Sequence, residues 1–173
     1  MIGRLLSLLL LIPLLAHAGE TRTIDTPAFD KLVAQQVVSD SIQRFPLAED
    51  VTIEDAIDSM KLRANNLNFK LVADLPLSEQ VKAMGEDARY MRILAFCDAL
   101  IAKKMVEYDL IFAGFLPCRI AVLEDAEGRG WLVTMNMDMM LHAVDLPKDL
   151  QPLAEQVRDT IYSIIDAGVN GDL

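Results

Sequence analysis

Hydrophobic positions along this chain follow two periodicities separated by clear punctuation. Thr52-Ile-Glu-Asp55 reads as a capping-box variant, and Ile53, Ala56, Ile57, Met60 and Ala64 follow at helical spacing until Asn65-Asn66 stops the run. Alternation then takes over from Asn68 to Asp74, putting Phe69, Leu71 and Ala73 on one face of a strand. Leu75-Pro-Leu77 turns the chain, Ser78 stands where a short helix needs its cap, and Gly85 closes that helix. Arg89 to Cys97 is apolar almost throughout, the pattern of a central strand buried on both faces. Asp98 is placed to cap a helix running through Tyr108, with Ile101, Met105 and Tyr108 on one stripe.

Beyond that helix, Asp109 to Phe115 reads as a loop whose Leu110, Ile111, Phe112 and Phe115 tuck against the body. Leu116 to Glu124 and Gly130 to Asn136 form a hairpin around Asp125-Ala-Glu-Gly128. A final helix begins near Asp149, turns Leu150, Leu153, Val157, Ile161 and Ile164 inward, and ends at Gly168. The pattern is weaker toward the start. Val37 to Leu47 reads as a first strand, and residues 19–40 hold an arm or a short helix begun at Thr26-Pro27 and carrying Phe29, Leu32 and Val33. Helices and strands interleave around at least one tight hairpin, so the expected class is α+β with an antiparallel or mixed sheet over residues 41–170.

The first eighteen residues carry a different signal. Arg4 supplies a positive start, Leu5 to Leu15 an apolar stretch, and Ala16-His17-Ala18 a cleavage site before Gly19. The apolar stretch is too short for a spanning helix, which needs roughly twenty residues. Residues 1–18 are therefore expected to be a signal peptide, leaving a periplasmic or secreted domain without a stable membrane anchor. Removing them takes away Arg4 alone and leaves 15 basic against 26 acidic groups. Such an acidic balance argues against nucleic acid, whose phosphates are bound through Lys and Arg.

Chemistry concentrates in two cysteines. Cys97 ends one apolar run and Cys118 nearly begins another, and no other cysteine exists to pair with either. A Cys97–Cys118 disulfide, a redox pair and a soft-metal site all stay open. Cys97 would lie at the amino end of the Asp98 helix, where the helix dipole favours a thiolate, while Asp98 opposes it. That makes Cys97 the expected nucleophile and Cys118 its resolving partner if the pair is reactive. Met135, Met137 and Met139 would share one strand face, and with Met140 and His142 they offer soft donors for Cu(I). Asp98, Phe112, Phe115, Arg119 and Trp131 are the candidate contacts to a small ligand. No serine relay, paired-carboxylate site or glycine-rich phosphate loop can be assembled. The expected function is a small-ligand-binding or interaction module, with a thiol-dependent redox or sulfur-carrier protein and a copper-binding protein as alternatives. The ligand, any cofactor, the protein partner and the option of a homodimer are left open.

Phe96-Cys97 before a helix, followed by Leu116-Pro-Cys-Arg-Ile-Ala-Val122, resembles the signature of the domain of unknown function 302 family. The likeness runs from about Ser41 to His142. Cys97-Asp98-Ala99 departs from the Cys-Asn-Pro common in that family, although Asp98 keeps the capping role. The resemblance implies a TBP-like α+β fold, with a curved antiparallel sheet and helices packed on one side. It implies no activity.

Overall fold

A computed structural model describes residues 30–172. Five strands, β1 (Ile42–Pro46), β2 (Lys70–Leu75), β3 (Met91–Cys97), β4 (Cys118–Glu124) and β5 (Gly130–Met135), form one sheet in the order β1-β5-β4-β3-β2. Every neighbouring pair is antiparallel. Helices α2 (Ile53–Asn66) and α6 (Gln151–Asn170) pack on each other and on one sheet face. Leu94, Phe96, Ile120, Val122 and Leu132 meet Met60, Ile161 and Ile164 there to make the main core. The remaining helices are α1 (Lys31–Asp40), α3 (Leu77–Ala83), α4 (Ala99–Tyr108) and α5 (Met137–His142), with a 3₁₀ turn at Leu110–Gly114. Residues 1–18, expected to be a signal peptide, and the stretch from Gly19 to Phe29 lie outside the described residues. Among those that are described, no helix is long and apolar enough to cross a membrane.

Local chemistry explains why the helices start where they do. Thr52 Oγ1 accepts the Asp55 N–H at 3.1 Å and donates to the Asp55 carboxylate at 2.7 Å, capping α2 as expected but with the return bond made through the hydroxyl rather than the Thr52 backbone N–H. Asp98 caps α4, and Asn136 caps α5 by accepting the Met139 N–H at 3.0 Å. Small residues are buried on both of the packed helices, Ala56, Ser59 and Ala64 on α2 and Ala167 and Gly168 on α6. The Ser59 hydroxyl is buried there without a hydrogen-bond partner. An unmet buried hydroxyl costs about 1–3 kcal/mol. Ser59→Ala should therefore raise the unfolding free energy by about 1 kcal/mol in urea titrations, and a loss of stability would contradict the assignment.

Several expectations need correction. Val37 to Asp40 belongs to α1, and the first strand begins only at Ile42. In β2 the register shifts between Leu71 and Ala73, so Val72 is a bulge; Phe69 is buried while Leu71 is exposed. Ser78 caps nothing; its hydroxyl donates to the Met91 carbonyl and ties α3 to β3. β3 lies one strand in from the edge and β4 is central; only Leu94, Ala95 and Phe96 of β3 are buried in succession. Leu110 and Ile111 face water, unlike Phe112 and Phe115. Helix α6 continues past Gly168 to Asn170 and is closed by Gly171 in the left-handed region.

The hairpin turn between β4 and β5 is organised by one carboxylate. Asp125 Oδ1 accepts the N–H groups of Glu127 and Arg129, and its Oδ2 accepts from the Arg129 guanidinium and the Trp131 indole at 2.8 Å each. Desolvation pushes the Asp125 carboxyl up, but the hydrogen bonds from Trp131, Arg129 and Glu127 outweigh it and bring it down to about 2. A depressed folded-state value means the turn gains stability above the ordinary carboxylate range and loses it as pH falls through that lower value. Trp131, the one tryptophan of the chain, should therefore report a fluorescence transition near pH 2, absent in Asp125→Asn. A transition near pH 4 would show that the network does not hold the charge.

Candidate functional site

Strand ends β3, β4 and β5 deliver their terminal side chains to one place. Cys97 ends β3, Cys118 begins β4 and Met135 ends β5. Helix α4 leaves Cys97 through Asp98 and turns Ile101, Ala102 and Met105 toward the same spot. Phe112 and Phe115 come from the 3₁₀ turn and its end, Met137 and Met140 from α5, and Ala154 and Val157 from the first turns of α6. Together these side chains enclose a cavity of about 90 Å³ whose wall is almost entirely apolar. Among the described residues Asp98 is the only charged one on it.

The structure brings Cys97, Asp98, Phe112, Phe115, Cys118, Met135 and Met137 to this cavity and leaves four other candidates elsewhere. Arg119 is exposed on the sheet face away from α2 and α6. Trp131 sits at the hairpin end with the Arg129 guanidinium 5.6 Å from its ring. Met139 and His142 do not line the cavity, and His142 is exposed. The reason is a change of period: β5 stops at Met135 and the next residues are helical. Met137 and Met140, one turn apart, therefore share the face that strand geometry would have given to Met137 and Met139. Among the described residues no three His, Cys, Asp or Glu side chains converge as a metal site.

The two cysteines are neighbours, but their thiols are free. Phe96 pairs with Cys118 across the β3–β4 ladder, so Cys97 stands one residue beyond that pair. Successive side chains of a strand point to opposite faces. Cys118 faces the core with Phe96, and Cys97, at the strand end where the chain turns into α4, reaches the same cavity wall.

The expected activation of Cys97 is reversed. Desolvation raises the Cys97 thiol above its ordinary range, and the adjacent Asp98 carboxylate raises it further. The helix N–H groups meant to favour its thiolate are taken: Asp98 Oδ1 accepts those of Leu100 and Ile101 at 2.9 and 3.0 Å. Burial pushes the Cys118 thiol up to about 11, with Cys97 adding to the effect. Both are neutral thiols near pH 7, closer to polarisable apolar groups than to nucleophiles.

The sequence pattern places Ile101 and Met105 on a core stripe and offers no link between Phe69, Leu141, Leu146, Ala154 or Val157 and a site. The stripe on α4 was the one available signal, because it faces this cavity and a second small core with Leu150 and Ala154.

The family model of the domain of unknown function DUF302 matches residues 45–168, a stretch containing both cysteines and every residue that lines the cavity. Among solved structures, the chain is similar to an uncharacterized conserved protein DUF302 from Bacillus stearothermophilus, with a TM-score of 0.60 at 16% identity. That likeness covers 73% of this chain and 96% of the other, and at such identity it speaks for the fold. Among curated proteins, none matches this chain.

Proposed function

The chain belongs to the DUF302 family, and on that footing we propose that its sheet-end cavity binds a small apolar ligand, or the apolar end of a longer one. The observation that carries this reading is the cavity wall, built from aromatic, aliphatic and sulfur side chains with one carboxylate. An apolar cavity of about 150 Å³ stays dry and takes up benzene or xenon; this one, at about 90 Å³, suits a narrower guest such as an alkyl chain. Asp98 sets the polar end of the site. The neutral thiols support binding over thiol exchange, which needs a thiolate.

Amide chemical shifts followed by NMR during titration with butan-1-ol, hexan-1-ol and octan-1-ol test the reading. Affinity should rise with chain length, with shifts concentrated at Ile101, Met105 and Cys118, and Ala102→Leu should abolish them by filling the space. Shifts scattered over the surface, or unchanged in Ala102→Leu, would refute it.

Two thiols and the thioethers of Met135, Met137 and Met140 on one wall favour a second reading, binding of Cu(I). Competition with a Cu(I) chelator separates the two. Stoichiometric metal lost in Cys97→Ser and Cys118→Ser supports copper, and no uptake removes it. We also propose export, expected to leave Gly19 as the first residue of the mature protein. N-terminal sequencing of the exported material checks this, and an intact Met1 would contradict it.

A further inference from the structure

We propose that the open face of the sheet, continued into the groove between α1 and β1, docks an acidic, partly apolar segment of a partner protein. The antiparallel register assigns the side chains of this face. Arg44, Val133, Ala121 and Ile93 form one row across it, and Ile42 and Arg119 belong to the row beside it. None of these joins the core, which lies on the opposite face with α2 and α6. Ile42 is 40% exposed and Ile93, Ala121 and Val133 are half-buried, so part of their apolar surface meets water.

Charge decides what covers it. The chain carries a formal net charge of −10, yet no strand residue that points to this face is acidic. Its charged strand residues are Arg44, Arg119 and Lys70, all exposed, while at its hairpin end Asp125 and Arg129 sit against Trp131 and neutralise each other. Ion pairs among the described residues occupy other positions, and none involves Arg44 or Arg119. The groove of about 470 Å³ beside β1 repeats the theme: among the described residues Lys31 and Arg44 are the only charged ones on it, set among Ala34, Val38 and Ile42. Two copies stacked face to face would oppose these cations. An acidic amphipathic partner would neutralise them while covering the aliphatic rows.

β1 adds a backbone element to the site. It is an edge strand; Leu47 N–H donates to Gly130 of β5 and the Ser41 carbonyl accepts from Asn136 just past β5, so by alternation Ile42 and Arg44 turn their N–H and C=O groups outward. An extended acidic segment can pair there while its side chains reach Arg44.

The test uses the full-length chain and two fluorescein-labelled designed peptides, one alternating Glu with Leu and Val, the other with Lys in place of Glu. Fluorescence polarisation should show binding of the acidic peptide alone, weakening steadily between 50 and 500 mM salt on the order of the screening expected for exposed charges. The Arg44→Glu/Arg119→Glu variant should bind at least about tenfold more weakly, with unchanged circular dichroism and an unchanged alcohol titration of the cavity. Ala102→Leu, which fills the cavity, should leave peptide binding unaffected, so that failure of one site is distinguishable from failure of the other. Equal binding of both peptides, no binding, or an unaffected double variant would overturn the proposal. So would light scattering that shows a dimer dispersed by the same variant, since that would assign the face to a second copy.

Discussion

Gly168→Ala should destabilise the domain by about 1–2 kcal/mol, although the same change in an open helix stabilises by roughly 0.5–1 kcal/mol. The reason is steric. A Cβ at Gly168 would stand 2.6 Å from Met60 Cγ and 3.0 Å from Leu132 Cδ1, and both of those residues are fully buried. Met60 Cγ lies mid-chain, so swinging the end of the side chain away does not clear it, and Leu132 is held between its ladder partners Phe45 and Val122. Overpacking of this kind costs about 1–3 kcal/mol. Gly168→Val, which adds two more methyl groups, should cost about 3 kcal/mol or more. A double-mutant cycle with Met60→Ala isolates the cause. In that background the added methyl enters vacated space, and Gly168→Ala should become neutral or stabilising. Urea unfolding followed through Trp131 gives the values, with an unchanged denaturant slope as the control. A wild-type-like or stabilised Gly168→Ala would mean that α2 and α6 are packed less closely than their small residues indicate.

The same glycine shows where a sequence misleads. Gly168 near the end of a helical pattern reads as a stop, because glycine is common just past helix ends. Here the left-handed cap is Gly171, and Gly168 is a contact residue whose lack of a side chain is used across space. What was legible depended on neighbours along the chain: the Thr52 box, the Asp98 cap, the hairpin around Asp125 and the stripe on α4. Those features are set by contacts three or four residues away. What was not legible depended on distant partners. The bulge at Val72 answers the pairing of β2 with β3, and Ser78 is claimed by Met91 rather than by its own helix. Met137 looked like a strand residue because Met135 is one, but Asn136 caps a helix between them. The candidate site was half visible for the same reason. Cys97 and Cys118 stand out by residue type, whereas Ala154 and Val157 reach the cavity only because α6 returns across the sheet.

In reduced protein at pH 8, iodoacetamide should modify Cys97 at least about a hundredfold faster than Cys118, since thiolate content and access both favour it. At a value of about 11, Cys118 holds only about one thiolate in a thousand at that pH, and its side chain is buried against Phe96 and Ile120 in the core. Cys97 is only half-buried, so its rise is the smaller of the two burdens, and reagent can approach it from the strand end. Asp98→Asn removes the carboxylate that raises the thiol while keeping an oxygen to cap α4. That variant should label faster at Cys97 and leave Cys118 unchanged. Saturating octan-1-ol should slow Cys97, because the thiol lines the cavity that the alkyl chain would fill. In strong denaturant the two cysteines should react alike, which confirms that the fold and not the residue sets the difference. Mass spectrometry after timed quenching reads each site separately. Equal rates in the native protein would mean that the β4 end opens freely to solvent. A Cys97 rate indifferent to octan-1-ol would detach the thiol from the binding site and leave it a surface group beside α4.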